Sequence, residues 1–189
     1  AEISRISASP GAPTVTLISP NGGEQWTDGD DQTIRWQASD PDNDLLNFSL
    51  QYSTDNGQTW AALAVDLNEN EISAAAENFP GSQQALIRVM ATDGFNTATD
   101  TSDQTFGIGF KAPEVYIAAP GDGQTFAAGQ PVFLQALATD LEDGAISEPA
   151  HFSWNSDLDG NLGTGSQLLA PNLSAGKHTL TIKVMDSSG

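Results

Sequence analysis

The chain repeats itself at an offset of 100 residues, and this repeat limits the folds that it can adopt. The segment APTVTLISP at Ala12–Pro20 returns as APEVYIAAP at Ala112–Pro120. Further along, QASD at Gln37–Asp40 returns as LATD at Leu137–Asp140. A chain of 189 residues that contains two copies of one pattern has room for only one small domain per copy.

The end of each copy carries a third echo at a shorter offset. VMATD at residues 89–93 returns as IKVMD at residues 182–186, an offset of 93. A shorter offset is expected if the loops of the second copy are shorter. We therefore predict an N-terminal segment at residues 1–11, a first domain at residues 12–111 and a second domain at residues 112–189.

Both copies contain short runs in which every second residue is apolar, separated by clusters of Gly, Pro, Asn and Asp. These runs are Ile34, Trp36 and Ala38; Phe48, Leu50 and Tyr52; Ile87, Val89 and Ala91; Val132, Leu134, Ala136 and Ala138; and Leu180, Ile182 and Val184. Such alternation is typical of antiparallel strands with one buried face. Only residues 69–77 have a sequence that is compatible with a helical turn. The sequence therefore predicts an all-β fold of two tandem immunoglobulin-like antiparallel β-sandwich domains.

Acidic residues outnumber basic ones by 25 to 6, which gives a formal net charge of −19. Nucleic acids and anionic membranes are bound by clustered Lys and Arg, so we expect neither as a partner. No apolar run approaches the ~20 residues of a membrane-spanning helix, so no membrane insertion is expected. A surface with this charge attracts cations.

Acidic residues gather after two of the predicted strands in each copy. They are Asp40, Asp42, Asp44 and Asp93 in the first copy, and Asp140, Glu142, Asp143 and Asp186 in the second. In an immunoglobulin-like sandwich the loops after the second and sixth strands meet at one pole, so each set should come together. Calcium takes about six to eight oxygen ligands, and Asp-rich loops supply several of them. We predict calcium as a cofactor at these residues; the alternative is that Asp, Asn and Pro simply favour turns.

The segment STDNGQTW at Ser53–Trp60 matches the Asp-box of sialidase-like propeller blades. In such a box Ser53 and Asp55 bond the backbone of a tight turn, Gly57 takes a positive φ, and Trp60 packs beneath the turn. A propeller needs several copies of the box, and the sequence has one. We therefore expect the box to stabilise a hairpin and not to form a sialidase site.

Few residues are available for catalysis. The chain has two histidines, His151 and His178, and no cysteine, so the usual zinc sites are not expected. Counting alone leaves a Ser–His–Asp triad open, but no serine lies in a nucleophile elbow. Sandwiches of ~95 residues fill their interiors with side chains and leave no room for a cleft. We therefore predict that the chain is not an enzyme.

Exposed aromatic rings would favour carbohydrate binding, because sugar rings stack on them. Trp36 lies on a predicted inward face, Trp154 at the usual core position of an immunoglobulin domain, and Trp60 in the hairpin. Trp26, in a Gly-rich loop, and Tyr116 are therefore the candidate ligand-binding residues.

Several segments resemble known modules. In the first copy, PNGGEQW at Pro20–Trp26, TIRW at Thr33–Trp36 and SDPDND at Ser39–Asp44 are similar to immunoglobulin-like modules of bacterial secreted hydrolases and surface proteins. In the second copy, Trp154–Gly165 and Leu173–Thr181 resemble polycystic-kidney-disease-like and bacterial immunoglobulin-like modules, relatives of cadherin and fibronectin III domains.

The resemblance implies a non-catalytic spacer, stalk or adhesion module of a bacterial extracellular or cell-surface protein, stiffened by calcium. Its partners would be neighbouring domains of the parent protein, and a glycan or a surface protein. The alternative is a calcium-dependent carbohydrate- or protein-binding module attached to a secreted hydrolase.

The ends of the two copies do not match. The first copy continues through Phe106, Ile108 and Phe110, which alternate as a last strand, whereas the second reaches Gly189 soon after Asp186. We therefore expect the second domain to lack its last strand, and residues 1–11 to resemble the last strand of a preceding domain. An open sheet edge invites another strand, so strand-exchange self-association is a further expectation.

Overall fold

A computed structural model describes residues 10–188 and divides the chain into two compact units, the first ending at Gly109 and the second beginning at Phe110. The strands of the first unit are β1 (Thr14–Ser19), β2 (Gln25–Trp26), β3 (Asp31–Ser39), β4 (Asn47–Ser53), β5 (Ala61–Leu67), β6 (Glu71–Ala75), β7 (Ser82–Thr92), β8 (Thr97–Thr101) and β9 (Phe106–Ile108). Those of the second are β10 (Glu114–Ala119), β11 (Val132–Asp140), β12 (Gly144–Ile146), β13 (Phe152–Ser156), β14 (Gly160–Thr164), β15 (Gln167–Ala170) and β16 (Leu180–Val184). Two single 3-10 turns, Ala76–Asn78 and Pro149–His151, complete the described elements. Within residues 69–77, where a helical turn was expected, Glu71–Ala75 form strand β6. The 3-10 turn begins only at Ala76.

Two sheets form the first unit. One has the order β1-β3-β6, and the other has the order β2-β9-β7-β4-β5 with β8 also beside β7. Neighbouring strands are antiparallel except for β2, which runs parallel to β9. The sheets pack face to face, since Trp36 of β3 meets Phe48 of β4 edge-on with ring centroids 5.4 Å apart. This arrangement is an immunoglobulin-like sandwich, as predicted.

Alternation along the strands fills the core of the first unit. Ile34 and Trp36 are buried, while Thr33 and Arg35 between them face solvent. The residue that differs from expectation is Trp26, which is only 3% exposed. Its ring lies in the core against Phe79 and Phe106, with centroid distances of 5.3 and 4.8 Å. The expectation that Trp26 is a surface residue is wrong, because the short strand β2 pairs with β9 and turns the indole inward.

The second unit has the same plan with fewer strands. Strands β10, β11 and β15 form one sheet, with the hairpin strand β12 on the end of β11, and β14-β13-β16 form the other. Leu134 and Ala136 of β11 are fully buried against Phe152 and Trp154 of β13. The indole N–H of Trp154 donates to the carbonyl of Gly165 at 2.9 Å, which satisfies its one polar atom inside the core. The predicted core position of Trp154 is confirmed.

No helix in the described part of the chain is long and apolar enough to span a membrane. The predictions made for residues 1–9, that they resemble the last strand of a preceding domain and exchange between molecules, lie outside the described residues.

Strand β11 offers a test of the alternation. Leu134 is fully buried, whereas Leu137 on the opposite face of the same strand is 58% exposed. We expect Leu134→Ala to destabilise the second unit by about 2–5 kcal/mol, since it leaves a cavity, and Leu137→Ala to change stability by less than about 0.5 kcal/mol. Urea unfolding of both variants measures the difference. Equal losses would contradict the assigned faces.

Candidate cation site at the acidic poles

Asp40 continues the inward series of β3, because it follows Ile34, Trp36 and Ala38 at every second position. Its carboxylate therefore turns toward the interior at the end of the strand. The Oδ1 atom accepts hydrogen bonds from the backbone N–H groups of Asp42 at 2.8 Å and Asp44 at 3.2 Å. The loop after β3 thus wraps around one oxygen of Asp40.

The other oxygen of Asp40, Oδ2, is buried and has no hydrogen-bond partner in the described structure. A carboxylate oxygen that is removed from water without a donor is costly, and a cation removes that cost. Carboxylate oxygens of Asp40, Asp42 and Asp44 lie within 4.8 Å of one another. These three residues can therefore offer one ion several oxygen ligands at once.

Asp140 in the second unit has a closely similar arrangement. It ends the inward series of β11 and is only 8% exposed. Its Oδ1 accepts from the backbone N–H groups of Glu142 at 2.8 Å and Asp143 at 2.9 Å. Its Oδ2 is again buried without a hydrogen-bond partner in the described structure. The repeat of 100 residues is therefore also a repeat of this half-satisfied carboxylate.

A second contact recurs at the same offset. The backbone N–H of Gly11 donates to Oδ2 of Asp42 at 2.8 Å, and that of Lys111 donates to Oε1 of Glu142 at 3.1 Å. Each unit thus ties the segment before its first strand to the acidic loop. We call the Gly11 segment, the loop at residues 40–44 and the turn after β7 the first acidic pole. The second acidic pole is the Lys111 segment, residues 140–143 and the residues after β16.

Asp93 belongs to the first acidic pole through hydrogen bonds and not as a member of the cluster of three. Its carboxylate accepts from the backbone N–H groups of Asn96 and Phe95, at 2.6 and 2.7 Å, and from the Asn96 amide. These bonds, that from the Asn96 backbone first, lower the pKa of Asp93. The Asn96 amide also donates to the carbonyl of Gly11, which fixes the turn after β7 beside the acidic loop. Both loops therefore contact the Gly11 segment, the acidic loop through Asp42 and the turn after β7 through Asn96.

At the second acidic pole the remaining carboxylates bond the turn after β16. Asp143 accepts from the backbone N–H and the hydroxyl of Ser187, both at 2.8 Å, and Asp186 accepts from the same two groups of Ser188 at 2.9 Å. Among the described residues, only Asp40, Asp42 and Asp44 form a group of three close potential ligands. Asp140, Glu142, Asp143 and Asp186 therefore share one pole without forming such a group.

Tyr116 lies on an apolar outer face of the second unit. The side chains of this face are Tyr116 on β10, Phe133 and Leu137 on β11, and Leu169 on β15, which are between 46% and 67% exposed. Tyr116 pairs across the strands with Leu137, and Phe133 with Leu169. We call these four residues the apolar face. Gln135 and Gln167 are opposite each other in the register of β11 and β15, on the same face as these four residues.

The first unit has polar residues at the equivalent places. Thr16, Thr33 and Gln37 stand where the second unit has Tyr116, Phe133 and Leu137. Of the apolar face, only Tyr116 was predicted from the sequence as a ligand-binding residue, whereas Phe133, Leu137 and Leu169 were not. A signal was present, because VFLQALA at residues 132–138 carries apolar residues on both faces of the strand.

The Asp-box forms the predicted hairpin. The Ser53 hydroxyl donates to Oδ1 of Asp55 at 2.7 Å and accepts from the backbone N–H of Gly57 at 2.8 Å. Asp55 in turn accepts from the backbone N–H and the hydroxyl of Thr59. The Trp60 indole donates to the carbonyl of Gly57, which has a φ of 82°. These hydrogen bonds of Ser53, Asp55 and Trp60 all lie within the hairpin, so the box stabilises the turn.

His178 contacts both a serine and an aspartate, but not as a catalytic triad. Ser156 lies 2.8 Å from Nδ1, and Asp159 is 3.8 Å from that same nitrogen, whereas a triad places the two on opposite nitrogens. Nε2 donates to the carbonyl of Ser174 at 2.8 Å. Ser156 is only 1% exposed, and its oxygen accepts from the N–H of Leu158. The group fastens a turn and presents no accessible nucleophile.

Comparisons with known proteins find likeness in structure only. No family model and no curated protein matches the chain. Among solved structures, the fibronectin(III)-like modules of Clostridium thermocellum CbhA are 16% identical, with a TM-score of 0.32, covering 89% of this chain and 83% of theirs. The N-terminal four Ig domains of Dscam1 isoform 6.9 are 11% identical, with a TM-score of 0.42, covering 95% of this chain and 44% of theirs. The FN1–FN3 domains of chicken CNTN1 are 13% identical, with a TM-score of 0.34, covering 93% of this chain and 56% of theirs.

This chain thus spans about half the length of the Dscam1 and CNTN1 structures that it matches. The class of the protein, an all-β chain of two immunoglobulin-like sandwich units, is defined by its sheet order. No function is carried over from these structures.

The Asp-box gives a pH prediction. Hydrogen bonds to Asp55, from the Thr59 hydroxyl first, then the Thr59 N–H and the Ser53 hydroxyl, lower its pKa from 3.8 to about 2. Because the folded state prefers the ionised form, this stabilisation is present above pH 3.8 and is lost as the pH falls toward 2. A carboxyl NMR titration should find Asp55 ionised at pH 3, and Thr59→Ala should move its midpoint upward. A midpoint near 3.8 in the unmodified chain would count against these bonds.

Proposed function

We propose that the chain is a non-catalytic spacer or stalk module of a bacterial extracellular or cell-surface protein, and that calcium bound at its acidic poles stabilises each unit. The observation that carries the proposal is a bonding pattern that the carboxylates of Asp40 and Asp140 have in common. In each, one oxygen bonds the following loop and the other is buried without a hydrogen-bond partner in the described structure.

Turn formation alone accounts for only part of this arrangement. An aspartate that merely caps a loop needs one accepting oxygen, and its second oxygen can stay in water. Here the second oxygen is buried in both units. A divalent cation supplies the missing partner, and Asp42 and Asp44 add further oxygens beside Asp40. The net charge of −19 favours cation binding over any anionic partner.

The spacer role is supported by what fills each unit. Trp36 and Trp154 occupy the two interiors and are at most 1% exposed. His178, Ser156 and Asp159 are engaged in holding a turn. Both features serve a rigid, repeated module, in keeping with the bacterial immunoglobulin-like modules that the sequence resembles. An extracellular location and a parent protein with a catalytic or adhesive domain belong to the same proposal.

Thermal unfolding with calcium tests the cation site. At about a hundred times its dissociation constant, a ligand of the folded state adds ~2.7 kcal/mol, which raises the midpoint by several degrees. Calorimetry should show that calcium raises the unfolding midpoint of each unit. NaCl at matched ionic strength must not reproduce it, because salt alone screens a charge of −19.

The variants for this test keep the turns intact. Asp40→Asn and Asp140→Asn each retain an oxygen that accepts the loop N–H groups and replace the buried oxygen by an amide. Each should abolish the calcium shift of its own unit, while Asp122→Asn, in an exposed turn, should leave both shifts unchanged. If the shift survives both substitutions, or if the unmodified chain shows no shift, the proposal is wrong and these carboxylates serve only to form turns.

A second candidate function is a glycan-binding module attached to a secreted hydrolase, and the apolar face favours it. Tyr116 and Phe133 offer two exposed rings, and the amides of Gln135 and Gln167 lie between them on one sheet. Sugar rings combine stacking on aromatic groups with hydrogen bonds to amides. A neutral glycan is also compatible with the acidic surface, whereas an anionic one is repelled.

Affinity electrophoresis in gels that contain neutral polysaccharides tests this second candidate. The unmodified chain should be retarded by one of them, and Tyr116→Ala should weaken the binding about tenfold through the loss of one stacked ring. Thr16→Ala, the matching change on the first unit, is the control. If no neutral polysaccharide retards the chain, or if Tyr116→Ala has no effect, the apolar face does not bind glycans.

A further inference from the structure

Three pairs of residues cover the outer side of the sheet that carries the apolar face. From the end of β11 toward its start, they are Tyr116 with Leu137, Gln135 with Gln167, and Phe133 with Leu169. The members on β11 follow one another at every second position, so all three pairs lie on the side of the sheet that faces away from the core. The two glutamines therefore form a polar level between two apolar levels.

The first unit has pairs of a different chemistry at the same three places. They are Thr16 with Gln37, Arg35 with Glu71, and Thr33 with Ser73. Arg35 and Glu71 form an ion pair at 2.8 Å. The second unit thus has two neutral amides where the first has an ion pair, and it has rings and leucines where the first has hydroxyl or amide side chains. All three levels differ, so this surface is particular to the second unit.

The core of the second unit does not account for the exposed apolar side chains. Leu134 and Ala136 fill that core from the other side of β11 and are fully buried. Tyr116 is 67% and Leu137 58% exposed, so neither belongs to the core. Strands β10, β11 and β15 lie within the described residues, and alternation along them sets which side chains point outward. A contiguous apolar patch on a surface is a common mark of a binding site.

Tyr116 and Phe133 are too far apart for a single sugar ring to contact both. Phe133 and Leu137 are four residues apart on β11, which is about 13–14 Å at the usual rise per residue. Tyr116 lies directly opposite Leu137 on the neighbouring strand, so its Cα is about 14 Å from that of Phe133. This is roughly the length of three linkages in an extended β-1,4-linked glycan, so the two rings match the first and the fourth sugar of one chain.

The same surface selects a neutral ligand that also forms hydrogen bonds. None of the six residues in the three pairs is charged, and the net charge of −19 repels anionic glycans. Each glutamine amide both donates and accepts, as sugar hydroxyls do. A purely apolar surface of another protein would leave these two amides without partners, which costs binding energy. A neutral glycan meets both needs, because its rings stack and its hydroxyls bond the amides.

We propose that the apolar face, together with Gln135 and Gln167, binds an extended, neutral β-1,4-linked glycan that runs along β11, and that four sugars are the shortest chain that contacts both rings. This inference rests on the second candidate function and adds the linkage, the direction and the minimum length of the ligand. Tyr116 and Phe133 stack on the end sugars, and the two glutamines bond hydroxyls of the inner ones. An α-1,4-linked glucan curls, so it does not reach both rings along a strand.

NMR titration of the intact chain with oligosaccharides of two to six sugars tests the length. Cello-, xylo- and manno-oligosaccharides are the β-1,4-linked probes, and malto-oligosaccharides are the α-1,4-linked control. In at least one β-1,4-linked series, the affinity should rise about tenfold from the trisaccharide to the tetrasaccharide, because a second ring then stacks, and less than about threefold from there to the hexasaccharide. The side-chain amide signals of Gln135 and Gln167 should shift on binding. The malto-oligosaccharides should show no such step.

Substitutions of exposed residues show whether both rings are used. Phe133→Ala should bind the trisaccharide and the tetrasaccharide equally, since only one ring remains. Thr33→Ala, the matching change on the first unit, should keep the step between them. Gln167→Leu should weaken binding of the tetrasaccharide by about threefold or more through the lost hydrogen bonds, whereas an apolar protein surface would bind this variant more tightly. Phe133 is 46% exposed and Gln167 is also exposed, so neither change disturbs the core.

The possible results separate this inference from the candidate function on which it rests. If a β-1,4-linked hexasaccharide binds but the unmodified chain binds the trisaccharide and the tetrasaccharide equally, the chain binds glycans and the proposed length and direction are wrong. If no oligosaccharide binds, the proposal is wrong, and the candidate function is wrong as well when no neutral polysaccharide retards the chain. A dimer in sedimentation equilibrium that Phe133→Ala dissociates would identify a second copy as the occupant and would also overturn the proposal.

Discussion

Burial of alternate residues from β3 and β11 against the facing sheets is the constraint on which the rest of the structure depends. Ile34 and Trp36 point inward from β3, and Leu134 and Ala136 do so from β11. Side chains on a strand alternate, so the same parity carries on to the strand's end. It places Asp40 and Asp140 on the inward side, where one carboxylate oxygen is shielded from water. The candidate cation site is thus a consequence of how the core is packed.

What the sequence predicted well was either local or repeated. The Asp-box was predicted in detail, because its hydrogen bonds join residues at most four positions apart, such as Ser53 and Gly57. The strands were predicted from period-two alternation, which is a local pattern present in both copies. Trp26 was placed wrongly, since its position depends on the pairing of β2 with β9, about 80 residues later in the chain. A local pattern holds no information on such a pairing.

The apolar face was missed for a different reason. Alternation indicates which residues enter the core, and it is silent on residues such as Phe133 and Leu137 that point the other way. Only comparison with Thr33 and Gln37 at the equivalent positions shows that one unit has a polar outer face and the other an apolar one. The burial of a single carboxylate oxygen is likewise beyond sequence patterns, because it depends on the packing around the side chain. The two units share a core plan and differ in what they present to partners.

The described core of the second unit is smaller than that of the first. Among the described residues, 14 buried side chains form the core of the first unit and 7 that of the second. Small domains are only marginally stable, because little of their surface is removed from water. In each unit a cation at Asp40 or Asp140 would pair an oxygen that is already buried. Such a contribution would be a larger share of the stability of the second unit than of the first, because the described core of the second unit is smaller.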